Sequence, residues 1–219
     1  MFRRVRTWFS TKANTFRSPR EQNMKVIILE GNIGSGKTTL LEKLKSKLDN
    51  VDIREEPIEL WKDLNGVNLI QKRYENPHEW SFILQSYIQL TMTQQHQRKE
   101  KGRHLLLERS VWSARYVFAE YLAKTGELAP VEIAVLDEWF KFITKKESVE
   151  VDLILFLQQD PVVCLERIQQ REKNNQNITL QYLIELELLY KDWLRDQPVK
   201  VIYISDTTKL REIIKYIQQ

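Results

Sequence analysis

The chain has 219 residues, 42% of them apolar, enough for one domain with a substantial core. No run of 18 apolar residues occurs, which argues against a membrane-spanning helix, and the single Cys164 excludes an internal disulfide framework. The formal charge of +4 is local: residues 1–24 hold six of the 34 basic residues and one of the 30 acidic ones, so the remainder has a net charge of −1, which does not suit a nucleic-acid-binding surface.

The leader, MFRRVRTWFSTKANTFRSPREQNM, is rich in Arg, Ser and Thr and has no acid before Glu21. On a helix Phe2, Val5 and Phe9 share one face, with Arg3, Arg4 and Arg6 displaced from it. That pattern predicts a mitochondrial transit peptide rather than a secretory signal. Met24 offers an internal start and thereby a cytoplasmic form. From residue 25 to 219 there is no repeat, low-complexity tract or linker, which predicts one domain.

KVIILE (25–30) is a β-branched apolar run of the kind buried in parallel sheets. GNIGSGKTT (31–39) follows and opens a helical TTLLEKLKSKL (38–48). It fits G-x-x-x-x-G-K-[ST], with Gly31, Gly36, Lys37 and Thr38 in the required places. Glycines let the backbone N–H groups of Asn32, Ile33, Gly34, Ser35, Gly36 and Thr39 curl towards phosphate oxygens at a helix N-terminus. Lys37 supplies a point charge to the β- and γ-phosphates, and the Thr38 hydroxyl suits Mg²⁺. The segment predicts nucleoside triphosphate binding.

VDIRE (51–55) reads as a second strand and ends in Glu55, Glu56 and Pro57. Side chains alternate across a strand, so only one of the two glutamates can face a given cleft. HLLLE (104–108), VDLILFL (151–157) and KVIYIS (200–205) read as three more strands. Helical patterns fill roughly 78–99, 110–124, 130–145, 161–173 and 179–194. The alternation predicts an α/β fold, a five-stranded parallel sheet covered by helices on both faces. His78, His96 and His104 show no metal-ligand spacing, and Cys164 in PVVCLERI reads as a packed thiol.

DLNG (63–66) imitates a GTPase switch, but follows no apolar strand and is accompanied by no N-K-x-D. The motif set of protein kinases is absent, and the chain is short for a motor ATPase. A small-molecule kinase remains.

The run EPIELWKDLNGVNLIQKRYENPHEWSFILQSYIQLTM, followed by LLLERSVWSARYVF, resembles the deoxyribonucleoside kinases, above all the insect multisubstrate and mitochondrial thymidine kinase types. The resemblance runs from about residue 25 to about 205. It implies a P-loop kinase with a short lid, phosphorylating the 5′-hydroxyl of a deoxyribonucleoside with ATP and Mg²⁺, and a homodimer. It makes Glu56 the base that takes the 5′-hydroxyl proton, Arg109 its companion, and Glu108 a Mg²⁺ ligand with Thr38. Gln85 would read the base edge and Phe118 would stack on it. Trp61, Ile70, Leu84, Ile88, Met92 and Ala114 would form the pocket. Relatives favouring deoxycytidine and purines carry charged residues at the positions of Met92 and Ala114, so a pyrimidine preference is expected here. Tyr74 would meet the 3′-hydroxyl.

The lid pattern R-x-R-x-x-E appears as REKNNQ (171–176): Arg171 is kept, Lys173 replaces an arginine and Gln176 a glutamate. Arg167 and Arg171 lie one helical turn apart, both within reach of a transferring phosphoryl group. Two rival readings are a nucleoside monophosphate kinase, which should carry extra basic residues at the acceptor, and a nucleotide-binding regulatory protein that has lost turnover through the altered lid.

Overall fold

The structure is a computed structural model that describes residues 24–97, 103–146, 149–171 and 177–219. The basic leader up to Asn23, and with it the transit-peptide expectation, lies outside the described residues, as do Lys173 and Gln176.

Five strands, β1 (Val26–Glu30), β2 (Val51–Arg54), β3 (His104–Glu108), β4 (Leu153–Leu157) and β5 (Lys200–Ile204), form one sheet in the order β2-β3-β1-β4-β5. Every neighbouring pair is parallel, as the predicted alternation of strands and helices requires. The helices are α1 (Lys37–Lys45), α2 (Ile58–Lys62), α3 (Leu69–Glu75), α4 (Pro77–His96), α5 (Val111–Ser113), α6 (Glu120–Lys124), α7 (Pro130–Lys146), α8 (Pro161–Arg171), α9 (Leu180–Leu194) and α10 (Leu210–Gln218). The pattern reading did not assign α2, α3 or α10. The first two are short, and α10 is amphipathic, burying Ile213 and Ile217.

The predicted helix 110–124 is interrupted by a π-helical segment, Ala114–Ala119. A π turn takes more residues than an α turn and so shifts the phase of the face it presents. Ala114, Phe118 and Leu122, spaced i, i+4 and i+8, would form one stripe on a regular α-helix, and here that stripe is split. Leu122 packs away from the main core with Ala119, Leu128 and Leu136, whereas Phe118 stays against it.

Strand alternation sorts the interior into two layers. Ile27, Leu29, Leu106, Leu155 and Leu157 point to one face and pack on Leu41 and Leu44 of α1 and Ile213 and Ile217 of α10. Val26, Ile28, Leu105, Leu107, Ile154 and Phe156 point to the other, against residues of α4, α5, α7 and α9. The chain passes from β1 across β3 to β2, and later from β3 back across β1 to β4, so the connections reverse direction at the centre of the sheet, and the crevice at the carboxyl ends of these central strands is where a ligand fits such a fold. Cys164 is fully buried in α8, and burial pushes its thiol up to about 11, as a packed thiol should behave. Among the described residues no helix is long and apolar enough to cross a membrane.

Candidate active site

β1 leads straight into the glycine loop, and the missing side chains there are required by space. A Cβ on Gly31 would lie 2.7 Å from the carbonyl oxygen of Leu157, and one on Gly34 2.5 Å from that of Cys164. Gly36 caps α1 with φ 100°, a left-handed conformation open to glycine. Lys37 is buried and folds back on the loop, donating to the carbonyls of Gly31 (3.2 Å) and Asn32 (2.9 Å). Burial, helped by Arg109, lowers its ammonium to about 8, against the pull of Glu108, Glu56 and Glu30. Asn32 donates to the carbonyl of Leu183 at 2.8 Å, which ties the loop to α9. The buried Ser35 hydroxyl has no hydrogen-bond partner.

Thr38 Oγ1, on the first turn of α1, lies 3.1 Å from both carboxylate oxygens of Glu108 at the end of β3. This pair of hard oxygen donors beside a glycine cradle fits a triphosphate with Mg²⁺. Among the described residues no group of three or more His, Cys, Asp and Glu side chains is set to hold a metal by itself, so the phosphates would have to complete the shell. Arg167 of α8 donates to the Ser35 carbonyl at 3.0 Å and pairs with Asp206 at 2.6 Å. Arg171 ends α8 on the surface, close to Lys173 in sequence.

The two adjacent glutamates separate as alternation predicts. Glu55 is exposed and pairs with Lys45 of α1. Glu56 turns to the other face, where Arg109 Nε lies 3.0 Å from each of its carboxylate oxygens. Arg109 follows Glu108 in the left-handed region, with φ 62°, and the two face different partners, Glu108 towards Thr38 and Arg109 towards Glu56. Its guanidinium stands 4.6 Å from the centre of the Phe118 ring. Burial raises the Glu56 carboxyl above the usual range, opposed by Arg109 and Lys37. Burial also works against the charge of Arg109, but Glu56, Tyr190, Glu30 and Glu108 more than offset it and hold the guanidinium protonated.

Glu56 and Arg109 line a cavity of about 180 Å³, which Ile33 of the glycine loop also lines. Its walls are Ile58, Trp61, Ile88, Met92, Ser110, Ser113, Ala114 and Phe118. Sequence reasoning anticipated Trp61, Ile88, Met92, Ala114 and Phe118, and missed Ile58, Ser110 and Ser113. The serines form a capping box on α5, and an S-x-x-S pattern that begins at the serine of ERS was the available signal.

Ile70, Tyr74, Leu84 and Gln85 are not on this cavity's wall. Ile70 and Leu84 pack in the same apolar cluster as Trp61 and Met92. Gln85 is buried one helical turn before Ile88, and its Oε1 has no hydrogen-bond partner. Tyr74 is half-buried, with the Arg73 guanidinium 4.9 Å from its ring centre and Arg73 itself paired to Glu127 at 2.6 Å. Behind the cavity sits a group that sequence reasoning did not single out. Glu30, wholly buried at the end of β1, accepts from Ser110 Oγ at 2.7 Å and from the Tyr190 hydroxyl at 3.2 Å.

Comparison with known proteins gives the family of the chain. The family model described as deoxynucleoside kinase matches residues 27–217. The human "Thymidine kinase 2, mitochondrial" is 38% identical over 175 residues, which cover 80% of this chain and 66% of that protein. "Deoxycytidine kinase 2" of Gallus gallus is 30% identical over 218 residues, with 88% of this chain and 81% of that protein covered. Human "Deoxycytidine kinase" is 31% identical over 202 residues, covering 81% and 78%. The chain thus spans just under two thirds of the length of the mitochondrial relative and about four fifths of the other two. With the glycine loop, the Glu-Pro after β2 and the Glu-Arg-Ser after β3 gathered at one end of a parallel sheet, the chain belongs to the deoxynucleoside kinase family.

Proposed function

We propose that this chain transfers the γ-phosphoryl group of ATP to the 5′-hydroxyl of deoxyribonucleosides, thymidine and deoxycytidine being preferred, and so serves nucleotide salvage. The reading is carried by one observation: a buried carboxylate, Glu56, held by a buried guanidinium, Arg109, on the wall of an apolar cavity that also touches the phosphate loop. The acceptor oxygen bonds to the γ-phosphorus as the bond to the β–γ bridging oxygen breaks. Its proton passes to Glu56, and ADP leaves with the bridging electrons. Arg109 keeps the carboxylate aimed and charged. Lys37 exchanges its loop carbonyls for phosphate oxygens, with the backbone N–H groups of residues 31–39 and with Arg167, Arg171 and Lys173 assisting. Thr38 and Glu108 would hold Mg²⁺, which supplies charge neutralisation at the phosphate oxygens.

The partnerless Oε1 of Gln85 supports base recognition, since a buried amide oxygen needs a donor and the N3–H of thymine is one. Phe118 would stack on the base, with Trp61, Ile70, Leu84, Ile88, Met92 and Ala114 around it, and Tyr74 and Gln176 would meet the 3′-hydroxyl. Met92 and Ala114 bring no charge to the pocket, which supports the pyrimidine preference. Among the residues lining the cavity Arg109 is the one cation, and it is occupied by Glu56, which disfavours a monophosphate acceptor. Exposed apolar side chains on α4 (Ile83, Leu90) and α7 (Val131, Val135, Trp139, Phe142) support a homodimer through these helices. The basic leader, residues 1–24, and the mitochondrial relative together support a mitochondrial location, with a cytoplasmic form starting at Met24 as the alternative.

The test is phosphate transfer from Mg-ATP to thymidine, deoxycytidine, deoxyadenosine, deoxyguanosine and thymidine monophosphate, with Glu56→Gln alongside. Turnover of the pyrimidine nucleosides, lost in the variant, is the expected result. Turnover of the monophosphate alone would transfer the chain to the monophosphate kinases. Binding of ATP with no acceptor phosphorylated would favour a regulatory role.

A further inference from the structure

Arg109 is held at two points and not only by Glu56. While Nε faces that carboxylate, one terminal nitrogen donates to the Tyr190 hydroxyl at 2.7 Å. A guanidinium can only donate, so the phenol must accept from it and turn its own proton elsewhere. The acceptor in reach is Glu30 Oε2 at 3.2 Å, and the other oxygen of Glu30 accepts from Ser110 Oγ at 2.7 Å. Each donor direction in this series is thereby fixed. Tyr190 and Glu30 are both fully buried and neither lines the cavity. A wholly buried carboxyl is costly to keep unless its partners need it. The Tyr190 ring is itself wedged between Phe156 (5.3 Å between ring centres) and Trp193 (6.2 Å), so its hydroxyl has a defined place.

From this geometry we propose that Tyr190 and Glu30 are positioning residues for proton acceptance: they brace the Arg109 guanidinium from behind, so that it presents Nε to Glu56 and holds that carboxylate towards the cavity. Glu30 orients the phenol proton, the phenol anchors Arg109, and Arg109 aims Glu56. Removing the hydroxyl would leave Arg109 one anchor and a partnerless buried N–H. The proposal rests on the reading of Glu56 as the group that accepts the nucleoside proton.

Tyr190→Phe preserves the ring and its packing and removes only the oxygen. It is expected to lower kcat for thymidine about tenfold to a hundredfold, while KM for thymidine and for ATP stays within about twofold of the unsubstituted enzyme. Glu30→Gln, whose amide oxygen still accepts from the phenol, is expected to lose less. In a Glu56→Gln background, adding Tyr190→Phe should cost little more, because the brace acts through the carboxylate already removed. A kcat for Tyr190→Phe within about twofold of the unsubstituted enzyme, or an undiminished loss in the Glu56→Gln background, would overturn the proposal. A crystal structure of Tyr190→Phe judges the brace independently of turnover: Arg109 displaced from Glu56 supports it, and the 3.0 Å contact unchanged overturns it. If the unsubstituted chain phosphorylates no nucleoside, the functional reading fails, and that structure still decides the brace.

Discussion

The two faces of the sheet are built on opposite terms. Towards α1 and α10 the contact is hydrocarbon on hydrocarbon: Leu29, Leu41, Leu44, Leu106 and Leu155 are fully buried. Towards α4, α5 and α9 the same strands end in charges, with Glu30 and Arg109 buried and Glu56 packed against them. Away from the first turn of α1, where Lys37 lies and Thr38 meets Glu108, the first face can supply stability without constraint from chemistry. The second gives up apolar contact where the strands end and holds buried charges in hydrogen bonds instead. Burial raises the Glu30 carboxyl to about 7, against the opposing pull of Arg109, the Ser110 and Ser113 hydroxyls and Lys37, so its charge is held only by its neighbours.

That division can be broken or sharpened by substitution. Glu56→Gln on the polar face should reduce kcat by about a hundredfold to ten-thousandfold, with a modest fall in the urea midpoint, because the amide oxygen still accepts from Arg109 while its counter-charge is lost. A large loss of stability would mean that the two faces are not separable. Leu155→Ala on the hydrocarbon face should do the reverse, costing about 2–5 kcal/mol in urea unfolding and leaving kcat per folded molecule intact; a matching fall in kcat would contradict it. A third comparison uses His96, which is 1% exposed near Arg54, with neither ring nitrogen hydrogen-bonded. Burial, with Arg54 assisting, lowers its imidazole from 6.5 to about 3. The unfolded chain therefore takes up a proton that the folded chain refuses, so stability is full above about 6.5 and falls as pH drops towards about 3. His96→Phe should flatten this part of the Tm–pH curve, and an equally steep curve would assign the acid sensitivity elsewhere. The smallest effect belongs to the surface: Glu55→Gln removes an exposed pair with Lys45 and should change stability by at most about 1 kcal/mol, with kcat unchanged. Measured beside Glu56→Gln, it tests neighbouring carboxylates with opposite assignments.

The polar face was partly legible in the sequence because its signals are local. The glycine loop lies in one stretch, and Glu56 and Arg109 each close a readable strand. The parallel sheet followed from the same alternation of strands and helices. What could not be read depends on distant parts of the chain. Glu30 looks like the last residue of an apolar strand, and its partner Tyr190 lies 160 positions away on a helix whose pattern says only that it is buried. The π segment was also hidden, since ARYVFA has no composition that separates a π turn from an α turn, yet it parts Leu122 from Phe118. Gln85 stood out in the sequence only through the family resemblance, and that its buried oxygen has no partner needed the packed surroundings of α4.

Alternation in β2 has a consequence for how the chain tolerates changes in length. Odd shifts exchange the two sides of a strand, and even shifts restore them. A chain that gained one residue between Val51 and Arg54 would carry Glu55 into the place of Glu56 and still offer Arg109 a carboxylate. A chain that lost one would offer it Pro57. The doubled glutamate makes the site unequal to slippage in its two directions, forgiving an insertion and intolerant of a deletion.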